Sequence, residues 1–504
     1  MHDRGCGRAP REVAARSVRA NAAVNAHYDV IIVGAGPAGA AAAVSATDHG
    51  MSVLVLDEAR SAGGQVYRAA ASSAPPSASA QGDALRARLT RCGAHVAFEH
   101  RVWHIAHTPA ADHDDAPRFT VAAVGPHGHR QIQGAALIVA AGAIERHYPR
   151  PGWTLPGVVG LGAATTMIKA GRILPGRRVV VVGPGPLAPL VANLIVDAGG
   201  AVAALVDPNP LRAWVIALPR MSQRLDLLAE GAAWFGRLAV NGVPVYRGWD
   251  VSSIDGAHEV ESVSLRPVDS MWRFIQAGPQ KAIVADAVCM SYGLAPATEI
   301  YRLLGVAQRY APELGGWAPV IDQGQRTDRV RLYAAGDGAG VLGAVAAPFS
   351  GCIAALSAAY DLGRIDAQTH HRLTQAPRRH LARAANFGAA MARLVAPRAS
   401  AMISVPDDTV LCRCEDICAG ELRAAIAAGA LELNALKAAT RCGMGPCGGR
   451  VCGEAAAALM ESTGIAREQI GQFTGRAPLR PVAVAALTGS FDYNDIPLPK
   501  VLDA

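Results

Sequence analysis

Aromatic residues make up only 5% of this 504-residue chain, and no uninterrupted apolar run is long enough to span a bilayer. The strongest apolar stretches, 135–144 and 179–182, are short and run into glycine, as buried strands do. A secretory leader is missing too. Residues 1–27 carry five Arg against Asp3 and Glu12 without an apolar centre, and read as a disordered tail. These absences predict a cytoplasmic protein. Ten cysteines are too few for a disulfide scaffold in a chain of this size. Charge is close to balance, with Lys+Arg 48 against Asp+Glu 41. The stretch 367–398 holds six Arg and no acid, yet neither basic stretch interleaves aromatic rings with its cations. Nucleic acid is therefore not the expected partner, and the two stretches read as solvated tail and helix face.

What is present is Ala- and Gly-rich and long enough for two or three α/β domains. The run Asp29–Val33 (DVIIV) has the pattern of a buried parallel strand and passes directly into Gly34-Ala-Gly36-Pro-Ala-Gly39. An Ala-rich helix follows, and a second strand, Val53–Leu56, ends at Asp57. In such a βαβ unit Gly34 makes the tight turn, Gly36 lets the backbone approach a pyrophosphate, and Gly39 lets helix and strand pack closely. The phosphates then lie at a helix N-terminus, where the dipole favours negative charge. Asp57 is placed to accept ribose hydroxyls, with Glu58 the lesser candidate. Three further segments point to FAD: the turn Gly63-Gly64-Gln65, the strand-and-glycine segment ending at Gly142, and a strand closing on Gly336-Asp337, with Gly351 on the helix beyond.

The unit occurs twice. Arg177–Val182 leads into Gly183-Pro-Gly185-Pro-Leu-Ala188, and a later strand ends at Asp207. In this position NAD is the expected nucleotide, because Asp207 repels a 2′-phosphate. Pro184, Pro186 and Pro189 stiffen the loop and remove N–H donors, so a fold retained without nucleotide use is an equal alternative. No Cys pair sits near either loop, which excludes the dithiol of a disulfide reductase.

Six of the ten cysteines crowd between Cys412 and Cys452. Cys412-Arg-Cys414 and, beyond two helical stretches, Cys442-Gly-Met-Gly-Pro-Cys447 supply four thiolates for one metal centre. A [2Fe–2S] cluster suits glycine loops that expose N–H groups to sulfur; structural zinc is the competitor. Cys418 and Cys452 are spare in this reading, with Cys452 the alternate ligand. The histidines lie in polar, loop-like contexts, and no acid–base pair or nucleophile dyad stands out, so the catalytic residues stay unassigned.

The region 409–452 closely resembles the bacterioferritin-associated-ferredoxin-like [2Fe–2S] domain. The segments GGQVYR (63–68), RHYPRPGWTLPG (146–157) and YGLAPATE (292–299) resemble the FAD- and iron–sulfur-containing α subunits of heteromeric amino-acid dehydrogenases. That group includes D-hydroxyproline dehydrogenase, opine oxidases and the hydrogen cyanide synthase subunit. The resemblance implies an electron-transferring subunit that works with a D-amino-acid-oxidase-like flavoprotein β subunit and a small third subunit, meeting a membrane only through its acceptor. Two rival readings remain: a self-contained NADH-dependent reductase, and a scaffold whose second site holds a structural adenine nucleotide. The fold class expected is α/β, with two Rossmann-like dinucleotide-binding domains and a small C-terminal helical [2Fe–2S] domain. Its boundaries are 28–151 and 285–365 for the split FAD domain, 152–284 for the inserted nucleotide domain, 366–400 for a helical linker, 401–460 for the cluster domain and 461–504 for a tail.

Overall fold

A computed structural model describes residues 27–69, 79–108 and 118–485. The expected N-terminal tail lies almost wholly outside them, as does the end of the C-terminal one.

Val30, Ile31 and Ile32 in the strand His27–Val33 are fully buried. Each such side chain contributes roughly 1.5–3 kcal/mol over exposure, so this strand sits at the centre of its sheet. It pairs in parallel with Val53–Leu56 on one side and Gly128–Val139 on the other, and Leu332–Ala334 adds in parallel to the latter. Register matters here. Val33 lies opposite Leu56 and Val139, and Val139 lies opposite Ala334. Four chain segments far apart in sequence therefore leave the sheet along one edge. The helices Pro37–Thr47 and Ala347–Asp361 pack against each other and on this sheet in one apolar cluster, and small residues permit the approach. A Cβ on Gly39 would run into the Gly34 carbonyl, and one on Gly351 into the Ala38 backbone.

The second sheet is built likewise, in the order Val245–Arg247, Ala201–Asp207, Arg178–Val182, Ala287–Met290, Val158–Val159, with parallel neighbours. Ala287–Met290 thus belongs to the second sheet. The chain returns to the first layer after Met290, not at residue 285. Buried on both faces, this apolar strand suits either sheet, and only its pairing decides.

The helix Ala367–Leu394 then leads to a small module of a hairpin, Val410–Cys412 with Ile417–Cys418, and helices Ala419–Ala427, Leu433–Thr440 and Gly453–Glu461. One continuous apolar cluster joins this module to the second sheet, running from Val180 and Trp153 to Leu411 and Leu459. Polar ties reinforce it. Trp153 Nε1 donates to the Val410 carbonyl at 2.6 Å. The Arg146 guanidinium, 1% exposed, reaches the carbonyls of Gly315, Tyr292 and Val395 and the carboxylate of Glu454. Nearby, Arg150 and Asp250 form a fully buried pair at 2.7 Å, which Tyr292 Oη joins as a donor to Asp250 at 2.7 Å. The tail packs back as well: the Leu479 N–H donates to the Trp103 carbonyl at 2.7 Å.

Candidate flavin and iron–sulfur sites

The common sheet edge gathers the first loop. Gly34 (φ +105°) turns the chain tightly against the Ala140 carbonyl. Gly36, at φ −70°, begins the helix with no side chain capping it and no acid in the first turn. The nearest atom to a Cβ there is Gly64 Cα at 3.8 Å, so the backbone presents an open cradle. Asp57 accepts the Ala35 N–H at 2.6 Å and the Ala59 N–H at 2.7 Å, bracing the loop, and burial pushes its carboxyl up. Glu58 pairs with Arg480 at 3.9 Å. Gly142 (φ +75°) faces open space. Gln65 Oε1 accepts from Thr166 Oγ1 at 3.3 Å. Asp337 Oδ1 accepts the N–H groups of Leu342 and Gly343, while burial raises its carboxyl too. Ser350, which the sequence reading missed, fixes the turn by accepting the Gly336 N–H at 2.8 Å. An uncapped helix start, a glycine cradle and two braced carboxylates fit FAD. Bound there, it supplies acceptance of an electron pair and one-electron passage.

The second loop keeps the glycine spacing with a different backbone and different surroundings: Gly183 and Gly185 lie at φ +158° and +80°, against +105° and −70° at Gly34 and Gly36. Ala188 is buried in the core, where a third glycine would stand. Asp207 is only 6% exposed. Its carboxylate accepts from Trp214 Nε1 at 2.8 Å and from the Asn209 N–H at 2.9 Å, and burial pushes its pKa up to about 6. At Gly185 a Cβ would lie 2.5 Å from Val395 Cγ1. A cavity of about 1440 Å³ adjoins the second loop, bounded by Asp337 and Gly343 on one side and by Pro184, Pro186 and Trp214 on the other.

The cysteines converge. Cys412, Cys442 and Cys452 are buried, and their sulfurs lie within 4.8 Å of one another. Cys452 is in hydrogen-bond contact with Cys412, Cys442 and Cys447, and Cys447 also reaches Cys414. The group thus has five thiols. The sequence reading left Cys452 outside its four, although the spacing Cys447-x4-Cys452 repeats Cys442-x4-Cys447. Loop N–H groups point at sulfur: those of Gly443 and Glu415 at Cys412, and those of Val451 and Gly449 at Cys447. The hydrogen bond from Cys452 and these donors hold the Cys447 thiol down at about 5. Phe473 packs over Gly443 and Gly449, where any side chain would displace it. Thiolates with N–H donors around them fit a [2Fe–2S] cluster. On the flank, Glu454 sits between Arg146 and Arg467; burial alone would raise its pKa, but the two guanidiniums hold it below the usual range.

Residues 28–363 match the family described as pyridine nucleotide-disulphide oxidoreductase. The chain belongs to that family. Residues 410–462 match the BFD-like [2Fe-2S] binding domain. This family member is 33% identical to the A subunit of opine oxidase from Agrobacterium tumefaciens (strain Ach5) over 473 residues, covering 91% of each chain. It is 32% identical to the HcnB subunit of hydrogen cyanide synthase from Pseudomonas protegens over 476 residues, covering 91% of this chain and 97% of that one. The resemblance to this group of subunits, read from the motifs, holds. In fold, it superposes on L-proline dehydrogenase from P. horikoshii with a TM-score of 0.66 at 20% identity, over 92% of this chain and 79% of the other. The protein is an FAD-dependent oxidoreductase with a [2Fe–2S] domain. Among the described residues, no helix is long and apolar enough to cross a membrane.

Proposed function

We propose that this chain is the electron-transferring α subunit of a multi-subunit amino- or imino-acid dehydrogenase of the D-hydroxyproline, opine or glycine type, working in the cytoplasm. In this reading a D-amino-acid-oxidase-like β subunit oxidises the amine. This chain carries electrons between its flavin and its cluster. The observation that carries the reading is the segment 142–153, which starts at the flavin edge with Gly142 and ends at the cysteine module. There Arg146 bonds Glu454 at 3.3 Å and Trp153 bonds Val410 at 2.6 Å. These ties hold the two cofactor sites in one rigid relation, as a relay needs. Relatives named as subunits support the division of labour. The test is to purify the chain with and without its co-expressed partner subunits and measure substrate dehydrogenation. Activity should require the partner; full dehydrogenation by the isolated chain overturns the reading.

For the cluster we favour Cys412, Cys414, Cys447 and Cys452 over the set with Cys442. Cys412, Cys452, Cys447 and Cys414 form an unbroken series of contacts, and Cys442 lies against Cys412 and Cys452 without a side-chain hydrogen bond to Cys447 or Cys414. Cys452→Ser should abolish the cluster, read as iron per chain and visible absorbance. Cys442→Ser should retain it, and the reverse pattern restores the first assignment.

A further inference from the structure

We infer that the second dinucleotide-type unit is the seat of the chain's own linker and takes no nicotinamide nucleotide. Protein groups already engage the features that would hold a dinucleotide, and Val395 itself lines the cavity of about 1440 Å³ beside the loop. A pyrophosphate needs the backbone at Gly185 to be open, and the Val395 side chain lies against it. Val395 also wedges against Gly293, where a Cβ would meet its own Cβ at 3.1 Å. Both end-of-strand acids accept an N–H two residues on, but the other oxygen of Asp57 braces its own loop at the Ala35 N–H, whereas that of Asp207 accepts from the Trp214 indole of the following helix. The helix start offers little in exchange, because Pro184, Pro186 and Pro189 remove donors from the loop and first turn.

The occupant is tied down by polar contacts as well as by packing. Asn209 Nδ2 donates to the Leu394 carbonyl at 3.1 Å, and Arg146 Nη1 to the Val395 carbonyl at 3.4 Å. Met391 and Leu394 are buried in a cluster with Ala217 and Met221 of the helix that follows Asp207. The first unit shows what an available site looks like: among the described residues, Gly36 has only a glycine near it. The second unit keeps the fold and has exchanged a soluble ligand for a tethered one. The linker leads straight into the cysteine module, so seating its end at Gly185 also fixes where that module begins. This inference goes beyond the relay reading and does not depend on it.

The test uses the full-length, FAD-loaded protein with NADH as the probe. Calorimetric titration to about 1 mM should show no binding, a concentration at which even a weak site would fill. Saturable binding with a Kd below about 1 mM overturns the inference. A second measurement does not depend on nucleotide. Val395→Gly and Asn209→Ala should each speed amide exchange at residues 391–396 by about tenfold or more, with flavin content unchanged. Exchange equal to wild type in both variants removes the seat.

Discussion

The two βαβ units share a strand, a glycine turn, a helix and an acid at the end of the next strand, yet they meet different neighbours. At Gly36 the nearest atom to a Cβ is another glycine; at Gly185 it is a valine from more than two hundred residues downstream. Asp57 braces its own loop, whereas Asp207 is buried against Trp214 and Asn209. The lesson is that a dinucleotide fingerprint specifies a strand–turn–helix order, and the local backbone with its tertiary neighbours decides what fills it.

Substitutions at equivalent glycines should part the two units most sharply. Gly36→Val sits at φ −70° in open space, so the fold should persist while FAD affinity drops at least a hundredfold, roughly 3 kcal/mol. Flavin retention on a desalting column after dilution checks it. Gly185→Val should leave the flavin untouched and destabilise the protein by at least about 1–3 kcal/mol, through a β-branched side chain at φ +80° and overpacking against Val395, read as a denaturant midpoint. If Gly185→Val lost flavin and Gly36→Val did not, the comparison would be inverted.

The second unit's structural character makes a further demand. Asp250→Ala strands the buried Arg150 and should destabilise by about 3–5 kcal/mol, without lowering flavin per folded chain. A subtler effect concerns pH. Asp207 has its pKa raised to about 6 by burial, so its folded form holds a proton that the unfolded form has released. Stability contributed by that proton is present at low pH and is lost as pH rises through about 6. Relative to Asp207→Asn, the wild type should therefore gain about 1 kcal/mol between pH 7 and pH 5. A flat difference across that window would show that Asp207 ionises as it does in water.

Much of this was legible in sequence because it is local. Val33, Gly34, Gly39 and Asp57 stand at spacings that the turn, helix and strand dictate, and the cysteine crowding was visible by position alone. The membership of the second sheet was not legible: Ala287–Met290 is buried on both faces, and either sheet could pair it. Cys452 was underweighted because two overlapping Cx4C spacings share Cys447, and spacing alone cannot rank them. Val395 carried no signal. Its contact with Gly185 exists only once the long helix has returned to the second sheet.

Arg146 has a consequence for when the molecule can finish folding. Its partner Glu454 lies 308 residues further along. At about 5–20 residues per second, the ribosome needs roughly 15–60 seconds to deliver that carboxylate after Arg146 has been made. Through that interval Arg146 lacks the carboxylate that meets it in the finished fold. The helix that carries Glu454, and the cysteine loop beside it, therefore reach a first layer made roughly 15–60 seconds earlier.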